Sequence, residues 1–391
     1  MSAPRVGVAF PGDAEDVTAF SGTPYGVLHG LRTLGVAASG IRAAPPERLD
    51  RAVALADALR RTAERRTLPR RAVLRADFAA GLQGEVVSRV RTRFAARAAD
   101  DVDAVVQIGT GYRLAPGVRH VIYDDMTVAQ AQRHPYPAWT AMRPRDRRFR
   151  LEQQREAYLG ADLCAMTNSW AAHSVVTDYG VPAERVCVVG VGTHEARRSP
   201  VRDVTHPRLL FVGLDWERKN GPRVLRAFAR LREEVPGAEL DVVGGHPPID
   251  QPGVRTHGVV RRTTAEGAAT LSALFDRATC FVMPSLYEPS AVVFTEAAAT
   301  GLPSIGGSVG GSADLIGDGG LVVDPTDDDA LLDALRTLSD PAEAAAASAR
   351  AAARAELFTW PAVAGRLLRA LGVTVPGTEL PALLPVQGVA P

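Results

Sequence analysis

Phe211-Val212-Gly213-Leu214-Asp215-Trp216-Glu217-Arg218-Lys219-Asn220-Gly221 reads as a strand end, a short polar loop and the start of a helix. That order is the repeating unit of a parallel α/β sheet. The helix that follows carries its apolar stripe at Val224, Phe228, Leu231 and Val235. Two adjacent cations, Arg218 and Lys219, stand just before its N-terminus, where unbonded N–H groups and the helix dipole favour an anion. The pair would serve equally as a solvated helix start, so this segment alone leaves both readings open.

Working outward, the unit repeats. Downstream come helix 222–235, strands 239–244 and 254–259, helix 265–277, strand 279–283 and helix 292–300. Strands 303–306 and 320–323, helix 327–338 and two last helices near 341–357 and 360–371 complete this half. Upstream, the run 6–10 ends in Pro11-Gly12, and a polar loop leads to Gly22 and a helical pattern through Tyr25, Leu28, Leu31 and Leu34. Apolar runs at 104–108, 119–123, 162–166 and 186–189 alternate with helical stretches near 47–66, 82–99, 148–159 and 169–179. The pattern predicts two doubly wound, Rossmann-like domains, residues 1–193 and 207–358, joined by the polar, Pro-broken linker 194–206. A C-terminal helix, 359–374, is expected to cross back to the N-terminal domain, and the Pro-rich tail 375–391 reads as disordered. Ligands of such sheets bind beyond the carboxyl ends of the strands, so the cleft between the domains is the expected site.

Bulk properties narrow the class. The chain has 391 residues, is 46% hydrophobic and 23% charged, and carries a formal net charge of +1. These values exclude a mainly disordered chain and argue against a dedicated nucleic-acid binder. Of its 45 basic residues one, Lys219, is lysine; the arginine excess fits a GC-rich genome, which makes the exception informative. Cys164, Cys187 and Cys280 are scattered in apolar segments and read as buried hydrophobes. No apolar run approaches a membrane span, and the start lacks a signal-peptide pattern, so a cytoplasmic protein is expected. The first 200 residues carry a net +7 and the rest a net −6. The basic half suits an anionic acceptor or peripheral contact with an anionic membrane; runs such as 60–71 suit solvated helix faces as well.

A second segment tips the balance toward chemistry. After strand 279–283 comes Pro284-Ser285-Leu286-Tyr287-Glu288-Pro289-Ser290-Ala291-Val292-Val293-Phe294-Thr295-Glu296, and then a run ending in Gly301-Leu302-Pro303. Glu288 and Glu296 flank a helix start whose N–H groups, near Ala291, Val292 and Val293, form an anion site together with Ser290. A carboxylate on either side of a phosphate is repulsive, so both acids need hydroxyl donors to bind. A nucleotide sugar supplies hexose hydroxyls at one end and ribose hydroxyls at the other.

With these residues the chain resembles the retaining glycosyltransferases of the GT-B fold, in particular glycosyltransferase family 4, most sharply over 208–326. The family's E-x7-E motif corresponds to Glu288 and Glu296, which implies that Glu288 holds the donor hexose and Glu296 the ribose. The family's diphosphate-binding cations map to Lys219 and Arg218. The family arginine directly after the strand-end glycine is Leu214 here, and Arg218 looks like its displaced substitute. Pro303-Ser304-Ile305 through Gly310-Gly311 to Asp314 resembles the family's following motif. Ser21-Gly22-Thr23-Pro24-Tyr25 resembles its glycine loop, whose backbone approaches the diphosphate; a helix cap is the plainer reading. Family members commonly carry a histidine at the strand end where this chain has Asp124, followed by Asp125. These two acids either face the cleft or cap the next helix beside Thr127. Trp170 and Tyr179 are read as core. Val260 and Arg261 lie in the segment expected to read the base by backbone atoms.

The resemblance implies a metal-independent, retaining hexosyl transfer from a nucleotide-diphosphate sugar, a UDP-sugar in preference to GDP-mannose, to a hydroxyl acceptor. No cofactor is expected, and UDP is the expected product. Lys219 and Arg218 would stabilise charge developing on the leaving diphosphate. Asp327-Asp328-Asp329 is read as the acidic start of a helix and not as a metal motif. Three alternatives stand beside this reading. A dehydrogenase would need a GxGxxG that the first loop does not supply. An epimerase of similar architecture has no use for the paired glutamates. A non-catalytic sugar-binding protein is the strongest rival.

Overall fold

The computed structural model describes residues 3–65, 81–95, 101–140, 142–195 and 197–388. It forms two compact units, Met1–Val189 with Trp360–Pro391, and Gly190–Thr359. Each is built on a six-stranded, wholly parallel sheet.

In the first unit the strands are β1 (Arg5–Phe10), β2 (Ala37–Arg42), β3 (Ala104–Ile108), β4 (His120–Asp124), β5 (Leu163–Met166) and β6 (Val186–Val188), in the order β2-β1-β3-β4-β5-β6. β3 is buried throughout and β4 up to its last residue, as their unbroken apolar runs require of strands covered on both faces. β2 has no such run. Its sequence AASGIR is largely exposed at the sheet edge, and no periodicity announces it. The helix Trp360–Leu371 packs on Thr23–Thr33, where a Cβ on Gly26 would stand 2.0 Å from the Trp360 ring. Glycine therefore sets the close approach of the two helices, and the C-terminal segment belongs to this unit.

The tail departs from the expectation of disorder. The Leu384 N–H donates to the Val188 carbonyl at 2.9 Å, and Arg369 Nε donates to the Pro381 carbonyl at 2.8 Å. The Gln387 N–H donates to Ser169 Oγ at 2.8 Å. Proline restricts the unfolded chain as well as the folded one, so a Pro-rich stretch loses little entropy when a few such bonds fix it. Composition alone hides this.

In the second unit β7 (Arg208–Gly213), β8 (Glu239–Gly244), β9 (Val254–Gly258), β10 (Cys280–Met283), β11 (Ser304–Gly307) and β12 (Gly320–Val323) adopt the order β12-β11-β10-β7-β8-β9. From β7 the chain adds β8 and β9 on one side, then returns to place β10 on the other. The order reverses between β7 and β10, the switch point at which doubly wound sheets carry their ligands. The stretch read as a linker lies along this unit. Its Arg198 N–H donates to the Ala299 carbonyl at 3.0 Å and Arg202 Nη2 to the Thr300 carbonyl at 2.7 Å, satisfying the carboxyl end of the helix Val292–Ala299.

Candidate functional site

The loops after β7 and β10 are tied to each other. The Leu286 N–H donates to the Arg218 carbonyl at 2.9 Å. Asn220 donates from Nδ2 to the carbonyls of Pro284 at 3.0 Å and Pro325 at 2.7 Å, joining three loops. It is buried and left-handed, with φ 65°, a conformation that asparagine tolerates better than most residues. Sequence reasoning passed over Asn220; an asparagine immediately before Gly221-Pro222 is the signal that was available.

This brace brings the expected residues together. Lys219 Nζ and Arg218 Nη1 both donate to Oε2 of Glu288, the arginine at 3.0 Å, and the Ser285 hydroxyl reaches the same oxygen at 3.3 Å. Arg218 also lies over the Tyr287 ring, its guanidinium carbon 5.6 Å from the centroid. Burial lowers the Lys219 pKa, and the Glu288 carboxylate opposes that shift. Glu288 is fixed through its backbone as well: its N–H donates to the Val309 carbonyl at 3.0 Å and its carbonyl accepts from Gly311 at 2.8 Å. Gly310, at φ 117°, lies so close that a Cβ would stand 2.0 Å from the Glu288 oxygen. The paired glycines therefore belong to the glutamate's seat. Among the described residues Glu288 Oε1 accepts no bond.

Glu296 makes the second corner. It lies on the helix Val292–Ala299, which begins at Ala291 without a side-chain cap. The N–H groups of its first turn, Val292 and Val293 included, have no acceptor within the helix, and Ser290 precedes them. Glu296 is buried, and its Oε2 accepts from Arg262 Nη2 at 2.8 Å. Burial raises its pKa to about 6, against the pull of Arg262. Here too Oε1 accepts no bond among the described residues. Arg262 also pairs with Glu195. Neither Arg262 nor Glu195 was singled out in the sequence, because the contacts join positions 34 and 67 residues apart. Val260 is half-buried and Arg261 exposed in the loop after β9, with the Arg261 carbonyl accepting from Thr264.

Ser21, Gly22 and Asp124 belong to the first unit, the first two beyond the carboxyl end of β1 and Asp124 at the carboxyl end of β4. Phe20, Ser21 and Gly22 are left-handed in succession, at φ 48°, 56° and 77°. Two non-glycine residues in that region are strained, the kind of cost that backbones carry at functional loops. Asp124 is half-buried, and its Oδ1 accepts the Asp125 N–H at 3.0 Å. Burial, reinforced by the Asp125 charge, raises its pKa to about 8. The next helix is capped by Thr127 in a reciprocal capping box with Gln130, so neither aspartate is the cap.

Asp327 accepts from the Asp329 and Ala330 N–H groups and Asp328 pairs with Arg223, which accounts for two of the three aspartates as a helix start. Tyr179 is core, meeting Tyr158 edge-on. The cysteines are buried and free. Among the described residues no three His, Cys, Asp or Glu side chains gather as a metal group, and no helix is long and apolar enough to cross a membrane. The basic run 60–71 lies outside the residues whose side chains are described.

Residues 206–340 match the family described as Glycosyl transferases group 1. The chain is 38% identical over 169 residues to a glycogen synthase of Mycobacterium tuberculosis, covering 40% of each protein. It is 36% identical over 146 residues to a GDP-mannose-dependent alpha-(1-6)-phosphatidylinositol monomannoside mannosyltransferase of Mycolicibacterium smegmatis, covering 33% of this chain and 38% of that one. The matches thus span about two fifths of these relatives' lengths. In structure it resembles the sucrose-phosphate synthase of Thermosynechococcus elongatus, with a TM-score of 0.61 and 18% identity over 94% of this chain and 99% of that one. That likeness establishes the fold over nearly the whole chain.

Proposed function

We propose that this chain, a GT-B protein whose second unit carries a group 1 glycosyltransferase domain, transfers a hexosyl group from a nucleotide-diphosphate sugar to a hydroxyl acceptor. The observation that carries the reading is the convergence of Lys219, Arg218 and Ser285 on one oxygen of Glu288 at the switch point of the second sheet. Without donor, Glu288 neutralises the two cations. An incoming diphosphate competes for them and carries more charge than one carboxylate, so Glu288 is released toward the hexose hydroxyls. The diphosphate then keeps Lys219 protonated despite its burial. As the sugar–phosphate bond breaks, charge grows on the leaving oxygen, and the preorganised pair stabilises it more than it stabilised the ground state.

The acceptor hydroxyl attacks the face the diphosphate leaves, giving retention, and the leaving phosphate oxygen takes its proton, so no metal is needed. A uridine donor is proposed over a guanosine one. Uracil can be read by the backbone of 258–261, whereas guanine adds an amino group for which Gly258, Val259, Val260 and Arg261 provide no carboxylate or amide side chain.

Thermal-shift measurements with UDP, GDP and dTDP test the donor; at a hundredfold excess over Kd the right one stabilises by about 2.7 kcal/mol. Turnover of the matching sugar nucleotide that disappears in Lys219→Ala and Glu288→Ala supports an enzyme. Binding without turnover in the unaltered chain would make it a sugar-nucleotide binder instead.

A further inference from the structure

Five charged side chains of the second unit alternate in sign along one line. Asp276 Oδ1 accepts from Arg198 Nε at 2.5 Å, and Arg198 Nη1 donates to Glu195 Oε2 at 3.0 Å. The other Glu195 oxygen holds Arg262 Nη1, and Arg262 Nη2 ends the line on Glu296 Oε2 at 2.8 Å. Both Glu195 oxygens are thus taken by arginines, which fixes the plane of the Arg262 guanidinium. That guanidinium in turn fixes one oxygen of Glu296 and leaves the other open. A buried carboxylate held on one edge, with the second edge unoccupied, is arranged to accept hydrogen bonds from neighbouring hydroxyls.

We infer that Arg262, itself oriented by Glu195, is a positioning residue that keeps Glu296 ionised and aimed so that its open oxygen takes the ribose hydroxyls of the donor. The inference rests on the nucleotide-sugar reading above. Arg262 lies one residue beyond the segment assigned to the base. Arg262 and Glu195 are the charged groups acting on Glu296, and they act in opposite senses. Removing the arginine leaves a buried carboxylate beside a second acid, which favours the protonated form. Protonation turns one Glu296 oxygen from a pure acceptor into an O–H donor, which weakens its acceptance of neighbouring hydroxyls.

The experiment compares UDP and GDP with their 2′,3′-dideoxy counterparts, by calorimetry at pH 6 and pH 8, on the unaltered chain, Arg262→Ala, Arg262→Lys and Glu195→Gln. The unaltered chain should prefer the ribose form. In Arg262→Ala the preferred nucleotide should bind about tenfold more weakly at pH 6, with partial recovery at pH 8 and little change for the dideoxy form. Arg262→Lys should restore part of the preference, and Glu195→Gln should lose less than Arg262→Ala. Equal ribose preference in Arg262→Ala and the unaltered chain would overturn the positioning role while leaving the donor site intact. Tighter binding in Arg262→Ala would also overturn it, making the arginine a plug. If neither nucleotide binds the unaltered chain, the donor reading itself falls. A loss equal for ribose and dideoxy forms at both pH values, in Arg262→Lys as well, would mark a purely structural role.

Discussion

The two glutamates differ in what holds them. Glu288 sits between cations from the neighbouring loop and is gripped by backbone bonds through Val309 and Gly311, so its seat is rigid. Glu296 sits on a short helix and depends on one arginine from a loop after the edge strand β9. Each keeps one oxygen in a salt bridge, and among the described residues the other accepts no bond. On the proposed reading, the first corner would bring its cations to where charge develops during reaction, and the second would order a part of the donor that does not change. The first should therefore act on kcat and the second on KM.

The largest effect expected is on the first corner. Lys219→Ala should lower kcat by about 10²–10³-fold with a smaller change in donor KM, measured by steady-state kinetics. Lys219→Arg should lie between, because a Cβ on Gly213 would be only 2.9 Å from Lys219 Cγ and this packing suits a slender stem better than a planar fork. A KM effect without a kcat effect would erase the distinction between the corners.

The second corner should show itself in pH. Glu296 has a raised folded-state pKa, so its share of stability is full below its usual value and is lost as pH rises through about 6. The amount is on the order of 2 kcal/mol, and Glu296→Gln should flatten that slope in denaturant titrations at pH 4.5 to 7. Donor affinity runs the other way, weakening below pH 6 in the unaltered chain and becoming pH-independent in the variant.

Asn220→Ala removes the brace shared by the loops without touching either acid. It should cost about 1–3 kcal/mol in thermal or chemical unfolding, since two buried carbonyls lose their donor. The smallest effect is expected outside both corners. Asp124→Asn should change kcat at pH 7 by less than about tenfold and remove any limb near pH 8 from its pH profile. An unchanged profile would exclude Asp124 from proton handling.

Much of the second unit was legible because its information is local. A strand end, a cation pair and a helix stripe lie within 25 residues of one another, and the two glutamates share one loop and helix. Arg262, Glu195 and Asn220 were not legible, since each acts across contacts of 34 to 105 positions that only the folded sheet brings together. β2 escaped notice because an exposed edge strand needs no apolar alternation. The Asp124-Asp125 pair left two readings open until the Thr127 capping box closed one of them. The same principle, that an exposed or extended segment leaves a weak periodic mark, explains the misreading of the tail.

That tail has a further consequence. β6 ends the first sheet, and the row of backbone groups along a terminal strand is a template on which another chain can pair. Leu384 takes the Val188 carbonyl and continues as a stretch of chain with proline at 381 and 385, which cannot itself extend a ladder. The segment thus covers the edge against intermolecular strand addition: a chain cut after residue 375 should keep both glutamate corners and gain a tendency to associate edge to edge.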